Sequence, residues 1–80
     1  MNEAQFEALV DRRVQARLST DRDYLLAENA EVQALAERKI ELQEELAVLR
    51  SLPTNTLREA VRLREIEREL EQTIAELREA

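Results

Sequence analysis

The chain has 80 residues, of which 12 are basic and 18 acidic for a net charge of −6, and 44% of its side chains are hydrophobic. These numbers favour one soluble, folded domain over disorder or a membrane span. Cysteine and histidine are both absent, which excludes disulfides, thiolate nucleophiles, imidazole bases and the ordinary zinc and haem ligand sets.

Glycine is also absent, and proline, phenylalanine, tyrosine and methionine occur once each. What remains is rich in Leu, Ala, Glu and Arg, the composition of long helices and coiled coils. An all-α fold is expected. Apolar runs such as Leu46 to Leu49 fall far short of the roughly 20 residues that span a bilayer. Met1 leads into Asn2, Glu3 and Ala4 rather than a basic stretch, so no signal peptide is expected, and the chain reads as cytoplasmic or part of a soluble assembly.

Taken from the N-terminus, Phe6, Leu9, Val10, Val14 and Leu18 advance by threes and fours and predict an amphipathic helix over about residues 3–18. Ser19 and Thr20 then precede Asp21 and Asp23, two hydroxyl caps ahead of two carboxylates suited to a helix N-terminus. A break or kink is expected there; the alternative is one helix running from Glu3 to Arg50.

The long central helix is predicted over 21–50. Leu25, Val32, Lys39 and Leu46 form one seven-residue series, and Leu35, Leu42 and Leu49 follow three residues behind the last three members, which makes a heptad seam with one polar interruption. A lysine at such a position packs its stem and lifts its ammonium to water, restricting register and strand number. A helix rotated to expose Lys39 is the competing reading.

Residues 51–56 carry the strongest breaker signal. Pro53 disfavours helical geometry at Leu52 and has no N–H to donate. Asn55 is the residue there best able to take a left-handed conformation. Thr56 and Glu59 have the spacing of a capping box, which starts a final helix over 57–79. Within it Leu63, Ile66, Leu70, Ile74 and Leu77 advance by three, four, four and three, nearer an eleven-residue than a seven-residue repeat. Glu59, Arg62, Glu65, Arg68 and Glu71 alternate in sign every third position, which supports the helix by a few tenths of a kcal/mol per pair.

At 1.5 Å per residue these helices would measure about 24, 45 and 36 Å. The prediction is a single domain over 1–80: an elongated antiparallel helical hairpin, coiled-coil-like, with an N-terminal amphipathic helix. The first helix covers only part of the central one, which leaves one side of each seam wet and calls for completion by oligomerisation. The predicted oligomer interface comprises Leu25, Val32, Leu35, Lys39, Leu42, Leu46, Leu49, Leu63, Ile66, Leu70, Ile74 and Leu77.

Carboxylates cluster at Glu37, Glu41, Glu44 and Glu45 and again at Glu65, Glu67, Glu69 and Glu71, where they read as solvated faces. Acid–base catalysis needs a pocket that drives two pKa values apart, and a narrow bundle with little loop has few ways to build one. Carboxylate di-metal bundles use Glu-x-x-His, and calcium loops need a glycine turn. The serines and threonines have no histidine base, and a glycine-rich phosphate loop is excluded. The chain is therefore expected to be neither an enzyme nor a holder of cofactor or metal.

Arg12, Arg13, Arg17 and Arg22 form the one basic patch, but Glu3, Glu7, Asp11, Asp21 and Asp23 interleave with them, and the net charge opposes a phosphate backbone. Phe6, Leu9, Val10, Arg13, Val14 and Arg17 together make a candidate docking helix, since aromatic and arginine side chains often anchor interfaces; packing of Phe6, Leu9, Val10 and Val14 on the rest of the bundle is the competing reading. The expected function is structural: an adaptor that self-associates through the heptad seam and docks onto a larger protein. The alternatives are a nucleic-acid or membrane-surface module using the arginine arm, and a small virion or assembly scaffold component.

Overall fold

The computed structural model of the chain describes residues 2–52 and 56–80. Helix accounts for 86% of them, and there is no strand among them. Four helices follow in order: α1 (Glu3–Leu18), α2 (Arg22–Leu25), α3 (Ala30–Ser51) and α4 (Leu57–Glu79). They pack into a body of 40 × 23 × 16 Å.

Each helix start is set by a polar side chain that takes up backbone N–H groups left without an intrahelical partner. The Asn2 side chain accepts from the Gln5 N–H at 2.8 Å, and the Gln5 side chain accepts from the Asn2 N–H at 3.1 Å. Asp21 accepts from the Tyr24 N–H at 3.0 Å, and Asn29 from the Val32 N–H at 2.9 Å. At α4 the reciprocal pair forms between Thr56 and Glu59. At the other end of the same connection Leu52 takes φ −71°, ψ 139°, the extended geometry favoured ahead of a proline. The roles predicted for Pro53 and Asn55 fall outside the described residues.

Two local expectations are corrected. Ser19 and Thr20 do not open a helix: their hydroxyls donate back to the carbonyls of Ala16 and Arg17 and close α1. The helix predicted over 21–50 is interrupted between Leu25 and Ala30. Asn29 is extended at φ −145°, ψ 170°, and its side chain caps α3. The short α2 turn before it packs Tyr24 against the α1–α3 core.

Helix α3 is the centre of the molecule and touches all three others. Its apolar residues therefore serve two faces. Ile40 and Val48 meet Val10 and Val14 of α1, while Leu42, Leu46 and Leu49 meet Ile66 of α4. Phe6 packs against both clusters and joins them near the C-terminal end of α3. Ion pairs Arg38–Glu69 (2.7 Å) and Glu45–Arg62 (3.2 Å) show that α3 and α4 run in opposite directions. Among the described residues no helix is long and apolar enough to cross a membrane.

Candidate functional site

The predicted seam does not present a free face. Leu42, Leu46, Leu49 and Ile66 are buried within the one chain, Val32, Leu35, Leu63, Leu70, Ile74 and Leu77 are half-buried, and Leu25 is exposed. The reason is geometric: α3 has 22 residues and α4 has 23, so α4 is long enough to cover the face that was to recruit a second copy. Leu25 leaves the series because the chain breaks after it.

Lys39 neither reaches into water nor lies on an exposed face. Its side chain is 11% exposed, and Nζ donates to Asp21 at 3.0 Å and Asp23 at 2.6 Å. Around it extends a charged junction that ties α1 and α2 to α3. Glu44, also on α3, accepts from Arg13 Nε and from Arg17 Nη1, the latter at 3.1 Å. Arg17 also stands 3.7 Å from Asp21, so the six side chains form one connected set.

Burial raises the pKa of Asp21, but the hydrogen bonds from Lys39 and the Tyr24 N–H, with the charges of Lys39 and Arg17, outweigh it and hold the carboxyl below its ordinary value. Glu44 follows the same pattern: burial raises it, and Arg13 and Arg17 bring it below the ordinary range. Lys39 is lowered by burial and raised further by Asp23 and Asp21, ending above the usual lysine value. All three groups are thus held in their charged forms at neutral pH. A general acid needs the opposite, a carboxyl driven up and kept protonated. Chemically this junction is a clamp.

The predicted docking helix is part of the clamp and of the core. Val10 and Val14 are buried, Phe6 and Leu9 are half-buried against the same cluster, and Arg13 and Arg17 turn to Glu44. Of the two readings of this stripe, docking anchor and bundle core, the packing is that of the second, because α3 offers α1 a second apolar face in Ile40 and Val48.

What remains exposed lies at the two ends of α3. At its start, Leu25 and Leu26 are 59% and 65% exposed. Toward its other end, Leu57 and Val61 of α4 are 82% and 51% exposed. Beside the second pair, Phe6, Leu49 and Leu52 line an open cleft of about 280 Å³, rimmed by Arg58 and Arg62. A different cleft, about 480 Å³, opens where α2, α3 and α4 meet and is lined by Asp23, Lys39, Gln43, Ile74, Leu77 and Arg78. Gln43 Oε1 is buried there and accepts no hydrogen bond among the described residues. No group of three or more metal-binding side chains occurs among the described residues.

Sequence reasoning missed Leu26, Leu57 and Val61 because it followed only apolar residues that extend a period, and these fall off it. A signal was available: Leu57 and Val61 are four apart on a helix whose core stripe starts at Leu63, so they belong to a different face. Comparison of the chain with protein-family models, curated proteins and solved structures finds no match.

Proposed function

We propose that this protein is a non-enzymatic adaptor: an antiparallel α3–α4 hairpin, braced by α1, that holds two apolar docking surfaces at opposite ends of a rigid stem. The observation that carries this reading is the exposure of Leu25, Leu26, Leu57 and Val61 on a chain that buries Leu42, Leu46, Leu49 and Ile66 of its seam internally. Large apolar side chains gathered at a corner mark contact surfaces more often than isolated ones do. The charged groups at the α1–α2–α3 junction support the same view, since their ion pairs hold helices together and keep Asp21, Glu44 and Lys39 charged, where a general acid would be held protonated. The nucleic-acid alternative loses support, because Arg13 and Arg17 are matched by Glu44.

The test is capture from the native source with two surface variants, Leu25→Ser with Leu26→Ser and Leu57→Ser with Val61→Ser. Each should keep the wild-type helical content and melt within a few degrees of it, and at least one should lose a partner that wild-type protein retains. An unchanged set of captured proteins for both variants would overturn the proposal.

A further inference from the structure

The two exposed apolar pairs differ in their electrostatic setting. Around Leu25 and Leu26 the segment 22–31 carries Glu28 and Glu31 against Arg22, Asp23 being occupied with Lys39, and the same end of the molecule receives Glu76 and Glu79 of α4, which share a cleft with Glu31. Around Leu57 and Val61 the segment 57–65 carries Arg58, Arg62 and Arg64 against Glu59 and Glu65. Glu59 is occupied in capping α4, and Arg62 is occupied with Glu45 and Glu65. Arg58 and Arg64 are exposed and make no ion pair among the described residues. Arg64 lies three positions beyond Val61 on the same stripe, so apolar and basic groups adjoin.

One end is therefore apolar and acidic, the other apolar and basic, and the Lys39–Asp23 and Glu45–Arg62 contacts fix the first nearer the start of α3 and the second nearer its end. A single chain cannot bring them together. Two chains can, and we propose that copies of this protein associate head to tail, the Leu25–Leu26 corner of one against the Leu57–Val61 stripe of the next. This rests on the reading of the ends as docking surfaces and names a second copy as the occupant. The charge complementarity selects it: like ends repel, and opposite ends attract. Such a contact is heterologous, so it repeats into a string or ring instead of stopping at a pair. With four large apolar side chains per junction the contact belongs to the small, weak class, and its charges make it salt-sensitive.

The experiment uses three full-length proteins: wild type, Arg58→Glu with Arg64→Glu, and Glu28→Arg with Glu31→Arg. Sedimentation velocity is run over a wide concentration range at ~0.01 M ionic strength, where the screening length is about 30 Å, and at ~1 M, where it is about 3 Å. Circular dichroism first establishes that each variant is folded; Arg58→Gln with Arg64→Gln replaces the first variant if it is not, and Glu28→Gln with Glu31→Gln replaces the second. Wild-type mass should climb past a dimer at low salt and fall back at high salt. Each charge-reversed variant alone should associate at least about tenfold more weakly, a change of about 1.4 kcal/mol. An equimolar mixture of the two should recover association, because reversed head then meets reversed tail while the native head and tail still match. If neutral replacements are used, each alone should weaken association and the mixture should lie between wild type and the variants. Association of either variant at wild-type strength, or a wild-type species that stops at a dimer, would overturn head-to-tail contact while leaving the adaptor reading to its capture test. A wild type that is monomeric throughout would likewise overturn it, and retained capture in the serine variants would separately remove the reading beneath it.

Discussion

Lys39 Nζ lies 3.0 Å from Asp21 Oδ2 although 18 positions separate the two residues in sequence. In an uninterrupted helix they would stand about 27 Å apart along the axis. The contact thus exists only because the chain breaks before Ala30 and turns α2 back beside the middle of α3. It fastens that turn in place.

Replacing Lys39 by Met should destabilise the protein by about 2–3 kcal/mol, since Asp21 is left buried without its main counter-charge. Adding Asp21→Asn to Lys39→Met should cost less than the sum of the two single changes, because the unpaired charge is then gone. Urea unfolding of the four proteins in the cycle measures this, and strict additivity would contradict the pairing.

Glu44 should behave more mildly. Its arginine partners are 48% and 39% exposed, so after Glu44→Gln they can turn to water, and the loss should be about 1 kcal/mol. Removing both partners by Arg13→Ala with Arg17→Ala strands the buried carboxylate and should cost more. Thermal melts of the two variants at neutral pH give the order.

The pH dependence follows from the direction of the shifts. Asp21 and Glu44 titrate below their ordinary values when folded, so in that interval the unfolded chain binds more protons and stability rises with pH. Their contribution is complete above about pH 5 and is lost as pH falls through the folded values. Lys39 titrates above its ordinary value, so its contribution persists at neutral pH and is lost only as pH rises through that raised value. The melting temperature should be level from about pH 5 to about pH 9 and decline in acid, less steeply for Glu44→Gln.

Phe6→Ala combined with Val10→Ala should lower stability of the whole chain by about 3–5 kcal/mol in one cooperative step, because these side chains fill the α1–α3 core and Phe6 joins it to the α3–α4 core. Leu57→Ala, at an exposed position, should change stability by less than about 0.5 kcal/mol. Denaturant titration followed by circular dichroism compares them. Selective loss of α1 with α3 and α4 intact would show that α1 is an appendage.

Much of the local structure could be read directly from the residues. The absence of glycine, the lone proline and the spacing of Phe6, Val10 and Val14 pointed to helix, and Thr56 with Glu59 marked where the last one starts. These are short-range effects, decided by a side chain and a backbone group three or four positions away. Asn29 is an equally local cap, but its signal was hidden by a seven-residue series that runs through it from Leu25 to Val32. The period was real in sequence and was cut in space.

Which faces meet was decided only by the tertiary structure. Leu42, Leu46 and Leu49 satisfy a heptad whether the partner is a second chain or α4; the sequence states that the stripe will be covered and leaves the cover open. Intramolecular cover prevails because α4 matches α3 in length and is tethered to it, so closing on it costs far less entropy than recruiting another molecule. Lys39 shows the same division from the polar side. Its position on an apolar series announced a specificity device, and the acids that answer it, Asp21 and Asp23, come within reach only after α1 and α2 have folded back onto α3.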